Sequence, residues 1–571
     1  MRLFLYTFLV LAGAAFLFPV SSYAQFNLGI ATSNWSGTNA MNINPALIAD
    51  SREKFTIDIL GINAGVDNNL GTLSSLTGIN NAIKNGNVNN LFTYNHNTTF
   101  SLIAPYLKVN LPGFMWSIDR NNSIALTNSV NAMNQFNNFD QSLFRTVGDP
   151  NYVINGNGST ILTSKNFNYT ANLWTQTGLT WAGVLLDKAE HEIKIGVTLR
   201  YLRGIGYIGL KGNNLDVVYR SGTDSVHVSN SDLEFASNIL TTRSAILNGT
   251  NSSNLLSEIF TNANGKGLGG DIGVTYDYMP QYTREHYCMD GHSDLVDDSR
   301  NRYLLRFSAA VMDIGSINYP SAYNSNATVK GNGYITGKGL SDSVKNYDDF
   351  RNYATRHGFS ADTSHQATRV YMPTTLRLSV DYHMFRNFYL NAMYIDNLAN
   401  RMNFGNSYYN QLTVTPRFDR RMLSIGLPLT YSWLTSSFKA GVGVRYSGFF
   451  IGSDDVLAVV AKNQSGLNIY VGGYVPFFKH RKHDRDGDGI SDDEDECPNE
   501  YGSWENKGCP EPDMEHGGSA DTSDNCPDMP QLHRSKAGHS GSNIKAGTVA
   551  EKDNLVGEKR EGGEMIEERR N

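Results

Sequence analysis

Asp484, Asp486 and Asp488 stand at alternate positions in D-R-D-G-D-G-I-S-D-D-E-D-E-C, with Gly489 next and Asp492 and Asp495 completing the run. That order of oxygens suits a hard cation such as Ca²⁺. A calcium loop that turns sharply at a glycine supplies ligands from its positions 1, 3, 5, 7, 9 and 12, position 7 through a backbone carbonyl. Counted from Asp484, those places fall to Asp484, Asp486, Asp488, the Ile490 carbonyl, Asp492 and Asp495. Eight acidic residues lie between Asp484 and Glu496, and without a cation they repel one another at close range. A merely solvated acidic linker would not set the glycine and the carboxylates in register. Position 12 carries Asp, shorter than the Glu of an EF-hand, so the loop has to close more tightly.

Other chemistry-bearing residues form weaker patterns. His286, Cys288, Asp290 and His292 in H-Y-C-M-D-G-H-S-D could ligate a transition metal; the plainer reading is a polar loop with an incidental thiol. Asp381 and His383 share a strand face but belong to no recognisable triad, so the chain is expected not to be an enzyme. Basic stretches laced with aromatics are missing, which argues against a nucleic-acid partner. Of the four cysteines, Cys497 and Cys509 are spaced for a disulfide in an oxidising compartment, leaving Cys526 to a downstream partner or free.

The elements that must carry these residues begin with export. Arg2, the apolar run Leu3–Val20 and Ser22-Tyr23-Ala24 form a signal peptide over 1–24 with cleavage before Gln25. Later apolar runs fall short of a membrane helix, so a membrane-embedded mature chain would have to be a closed barrel. Composition agrees, with 11% aromatic and 18% charged residues and 54 glycines among 571 residues. From Lys479 onward 13 Lys/Arg face 23 Asp/Glu, which concentrates the acidity in the tail.

Between export signal and tail, alternation recurs with period two. Ile193, Ile195, Val197, Leu199 and Tyr201 oppose Lys194, Gly196, Thr198 and Arg200. Leu376, Leu378, Val380 and Tyr382 oppose Arg377, Ser379, Asp381 and His383, and Phe438 to Tyr446 repeats the pattern against Lys439 and Arg445. Apolar-out, polar-in segments of about ten residues are the pattern of an outer-membrane strand. Similar runs cover Lys54–Gly61, Phe167–Thr175, Leu268–Tyr278, Tyr303–Asp313 and Arg420–Tyr431. Leu467–Phe478 is the expected closing strand, with Lys479, Arg481 and Lys482 after it placed to meet lipid phosphates or to snorkel. The polar interior fits either a hydrated lumen or internal salt-bridge packing. Asn68–Asn95 reads as a short helical insertion, and Ser231–Asn262, with apolar residues at mixed helical spacing, as a plug, loop or lid.

The acidic run with its Asp495-x-Cys497-Pro498 ending resembles a thrombospondin type 3 repeat over Asp484 to about Pro510, and a degenerate copy from Asp513 has Gly517 in a ligand place. Asn44-Pro45-Ala46 before the first strand, with Gly265–Tyr276 opening a later one, resembles a broad group of bacterial outer-membrane barrels. That group includes FadL-type transporters and PorP/SprF-type barrels, and the resemblance implies about fourteen strands. A repeat after a barrel is also the OmpA-like layout, yet too few residues follow Cys526 for a peptidoglycan-binding domain. The expectation is therefore an all-β protein, a transmembrane antiparallel barrel of 12 to 16 strands over 25–480. A calcium-binding segment over 483–530 and a disordered tail over 531–571 follow it. It would sit in the outer membrane with a periplasmic tail, contacting lipid and an envelope protein partner. A structural and interaction role is expected, with a FadL-like channel for a small or hydrophobic solute as the alternative.

Overall fold

The computed structural model describes residues 26–73, 92–94, 99–142, 159–220, 225–238, 263–281, 286–336, 347–456 and 465–510. The signal peptide, the degenerate second repeat and the segment from 511 onward lie outside the described residues.

Alternation becomes a wall. Fourteen antiparallel strands follow one another round a ring: β1 Glu53–Asn68, β2 Thr99–Ser117, β3 Asn122–Asp140, β4 Ser159–Lys188, β5 His191–Arg220, β6 Gly265–Tyr278 and β7 Leu305–Tyr319, then β8 Thr375–Phe385, β9 Phe388–Asn397 and β10 Gln411–Asp419. An interrupted β11 (Leu423–Gly426 with Leu429–Ser432) and β12 (Ser437–Ala440 with Val442–Tyr446) lead to β13 Phe449–Ser453 and β14 Gly466–Phe478. The ring closes where β14 pairs with β1, from Glu53 opposite Phe478 to Asp67 opposite Gly466. Closure leaves the ring no unpaired edge, the condition for backbone in hydrocarbon.

Facing follows the sequence pattern. Leu199 is 69% exposed, Leu268 76% and Phe438 77%, whereas Lys194, Thr198, Arg377 and Arg445 are buried in the lumen. At the rim where β1 starts and β14 stops, Trp116, Phe385, Phe388, Tyr446, Phe449 and Phe477 are all exposed on the outside. They form an aromatic girdle of the kind found at a membrane interface. Arg in place of Leu199 or Val197 is expected to cost about 2–4 kcal/mol near the bilayer midplane. The check is the denaturant midpoint in lipid vesicles, and a midpoint equal to wild type would refute the lipid-facing assignment. The neighbouring lumen position is no refuge for charge, since Thr198 is 4% exposed and its hydroxyl lies 2.8 Å from that of Thr180.

Connections at the end where β1 starts and β14 stops are short turns, such as Ala189–Glu190 between β4 and β5. One is an exception: residues 279–304, between β6 and β7, which carry a small hairpin of His286–Met289 against His292–Val296. At the far end the connections are long, apart from the four-residue turn 433–436 between β11 and β12. There Ser225–Ser237 pairs with the upper part of β5 and with Ser325–Thr336, extending the wall above the ring.

Two insertions differ from expectation. Gly71–Leu73 pairs with Phe92–Tyr94, so the described parts of Asn68–Asn95 are extended, not helical. Leu233 and Phe235 lie in a strand held by pairing on both sides, which overrides their helical spacing, and residues 239–262 lie outside the described residues.

Candidate functional site

Among the described residues, the chain fills the lumen with its own beginning. Residues 26–51 fold inward as a short helix, Leu28–Ala31, and two 3₁₀ turns, Gly37–Asn42 and Pro45–Ile48. Asn44 accepts from the Ala46 amide at 2.8 Å, capping the last turn, while its Nδ2 donates to the Val274 and Ala309 carbonyls of β6 and β7. Leu28 and Gly29 amides donate to Asp454, and Asn34 donates its amide to Asp419 at 2.8 Å. Arg377 donates to the Asn42 carbonyl. Backbone groups that the plug cannot pair internally are thus taken up by wall side chains.

Glycines let this plug approach. A Cβ at Gly196 would lie 2.7 Å from Ala46 Cα and closer still to other backbone atoms of the Pro45–Ala46 turn. At Gly29 a Cβ would meet Gly443 N at 2.7 Å. Only glycine allows backbone to sit on backbone in this way.

Charges seal what remains. Lys194 Nζ lies 2.8 Å from Glu192, 2.9 Å from Asp277 and 3.4 Å from Asp50. Arg302 reaches Asp50 at 2.8 Å, and Arg306 reaches Asp277 at 2.7 Å. Arg417 grips Asp381 with both terminal nitrogens, at 2.8 and 2.6 Å. Arg200 and Lys439 pair with Asp271 and Asp67. Of the two readings of the polar interior, salt-bridge packing is the one realised. Two of its cavities measure about 60 Å³ each.

The acidic run lies just beyond β14. Carboxylate oxygens of Asp484, Asp486 and Asp488 come within 4.8 Å of one another, and Gly487 and Gly489 take positive φ of 81° and 86° to make the turn. Asp484 accepts from the Gly487 and Gly489 amides at 2.8 and 3.0 Å, and Asp488 accepts from Ile490 and Gly502. Burial pushes the carboxyls of Asp486 and Asp488 up from their ordinary value, and the neighbouring Asp495 carboxylate adds to both. Asp492 differs: its oxygens take His483 Nδ1 and the Arg485 amide, both at 2.9 Å, instead of joining the three. Cys497–Cys509 is closed as a disulfide.

The hairpin at 286–296 does not gather a transition-metal site, for the three aspartates are the metal-competent cluster among the described residues. Cys288 is not an incidental thiol, being disulfide-bonded. The basic residues after β14 meet partners within the chain itself. Lys482 pairs with Asp290, the Arg481 guanidinium sits 4.4 Å from the Tyr287 ring centre, and Lys479 Nζ lies 3.7 Å from Asp298. These contacts tie the tail to the barrel.

Fold and facing define a plugged transmembrane β-barrel of the outer-membrane type. Residues 45–454 match the family described as "Family of unknown function (DUF5723)", and the chain belongs to it. No curated protein matches significantly. Among solved structures, the chain is similar to the Ralstonia pickettii toluene transporter TbuX, at 10% identity and a TM-score of 0.35, with 81% of this chain and 100% of that one covered. It is also similar to the P. putida toluene transporter TodX, at 11% identity and a TM-score of 0.36, covering 78% and 95%. A Pseudomonas aeruginosa FadL homologue shares 10% identity with a TM-score of 0.30, covering 80% and 96%.

Proposed function

We propose that this protein is a closed barrel of the outer membrane whose role is structural and interactive, with its acidic loop in the periplasm as the calcium-dependent part. The filled lumen carries that reading. Cavities of about 60 Å³ hold a few waters, whereas even benzene takes a cavity of ~150 Å³. Short turns at the end bearing both β1 and the tail, and long connections at the other, support a periplasmic tail. No enzymatic role is proposed for the protein. Peptidoglycan is not assigned as a partner; another envelope protein is.

Reconstituted in planar bilayers, the protein is expected to be electrically silent, and pull-down from native membranes should recover an envelope partner through the tail. Steady conductance, or uptake of a hydrophobic solute by liposomes bearing it, would favour the channel alternative instead.

Calcium is expected at Asp484, Asp486 and Asp488 with Asp495 and the Ile490 carbonyl completing the shell, Asp492 rotating in when the ion arrives. Extracellular-type calcium modules bind with Kd of ~10⁻⁴–10⁻³ M. Titration calorimetry of the full-length protein in detergent should give that range, with the heat lost in Asp486→Ala. Absence of calcium heat in wild type would reduce the loop to an acidic spacer.

A further inference from the structure

The one long connection at the chain-end rim, residues 279–304, touches two separate parts of the molecule. Its hairpin turn holds the acidic loop. The Asp290 amide donates to the Gly489 carbonyl at 2.9 Å. Its carboxylate accepts from the Ser491 amide at 2.7 Å and from the Ser491 hydroxyl at 3.0 Å, and pairs with Lys482. Ile490, between the two gripped residues, is 3% exposed, and the Trp504 ring lies against Gly291. Burial alone would raise the Asp290 carboxyl, but Lys482 and Ser491 outweigh it and hold it below its ordinary value.

A few residues further on, the same connection holds the end of the plug and Arg52, which joins it to β1. Arg52 donates to the Asp298 and Arg300 carbonyls, and Arg302 pairs with Asp50 at 2.8 Å. Lys479, at the root of the tail, joins both sides, its amide donating to the Arg52 carbonyl at 2.9 Å and its ammonium reaching Asp298. Short turns elsewhere on this rim would have closed the wall just as well. The extra length is spent on these contacts.

We propose that residues 286–304 are a latch that couples the docked state of the acidic loop to the seating of the N-terminal plug, with Asp290 as the positioning residue on the tail side. Both grips belong to one connection anchored by β6, by β7 and by the Cys288 disulfide, so undocking the loop lets the Asp290 turn shift and loosens the carbonyls that hold Arg52. Coupling of this kind is reciprocal: whatever steadies the loop steadies the plug. Where the loop binds calcium as proposed above, the ion becomes the signal. Gripping the peptides on both sides of Ile490 also presents its carbonyl in place.

The test uses the full-length protein in detergent and in planar bilayers, as wild type, Asp290→Asn and Ser491→Ala. Ser491→Ala lies outside the barrel, and unboiled gel mobility reports whether each barrel is folded. Trypsin should cut after Arg481 and Lys482 about ten-fold faster in Asp290→Asn, reflecting lost hydrogen bonds to a charged acceptor, and a few-fold faster in Ser491→Ala. Both folded variants should also show channel openings that wild type lacks. Faster cleavage with silent bilayers would overturn the latch, as would cleavage at the wild-type rate. Millimolar Ca²⁺ should slow cleavage of wild type. If it does not while both variants behave as stated, the calcium reading fails and the latch stands.

Discussion

Asp381→Ala is expected to strip the barrel of about 3–5 kcal/mol, the usual result of removing one partner from a buried ion pair. Asp381 is 4% exposed and Arg417 3%, and the Tyr303 hydroxyl donates to the same carboxylate at 2.7 Å. Alanine would leave the Arg417 guanidinium in the packed lumen with only Asp419, at 3.5 Å, as an acid. The loss should read as a lower urea midpoint and a smaller fraction of heat-modifiable barrel. Asp381→Ala combined with Arg417→Met should recover most of it, because removing both charges removes the desolvation penalty along with the attraction. Equal midpoints for the single and double variants would show that the pair is not coupled.

That pair also shows how far the sequence could be read. Asp381 and Arg377 were placed on the lumen face by alternation alone, since side chains on a strand change sides at every residue. Arg417 sits in β10, where Leu412, Val414, Pro416 and Phe418 alternate with Thr413, Thr415, Arg417 and Asp419, but its pairing with Asp381 crosses from β8 past β9. Strand facing is local; which lumen charges meet depends on ring order and register. The closing strand was legible for the same local reason; its Tyr470 and Tyr474 are buried against the plug, the Tyr474 hydroxyl donating to the Trp35 carbonyl at 2.6 Å.

The plug itself escaped notice. Leu28–Ala31 is a single turn, too short for helical periodicity to register. Its one signal was Asn44-Pro45-Ala46, an N-cap followed by proline at the first helical position, which could have been read as the start of a helical turn instead of a strand lead-in. In the acidic loop, spacing alone was enough to bring Asp484, Asp486 and Asp488 together. Asp492 went elsewhere because His483 and Arg485 lie within reach of it, and ligand registers say nothing of competing donors. Nothing in the spacing of His286 to His292 announced Asp290 as the tail's anchor, since that contact joins positions 201 residues apart.

Gly196→Val is expected to open the barrel without unfolding it. A side chain there meets the backbone of Pro45 and Ala46, with Ala46 Cα 2.7 Å from the new Cβ, and backbone cannot rotate out of the way as a side-chain tip can. Overpacking of this kind costs ~1–3 kcal/mol when neighbours can shift. One of the two elements has to move. Gly196 sits in β5 with ladder partners on either side, Ala182 in β4 and Gly273 in β6, whereas the plug turn is fixed by a handful of side-chain bonds. The plug should therefore yield, lifting Asn44 off the Val274 and Ala309 carbonyls and raising Arg377 with it. In planar bilayers the variant should conduct where wild type is silent, and protease should reach the plug while gel mobility still reports a folded barrel. Gly273→Ala is the graded control, because its Cβ would meet the Asn44 side chain and not backbone; its openings should be rarer. A folded, silent and protease-resistant Gly196→Val protein would mean that the plug is not what closes this lumen.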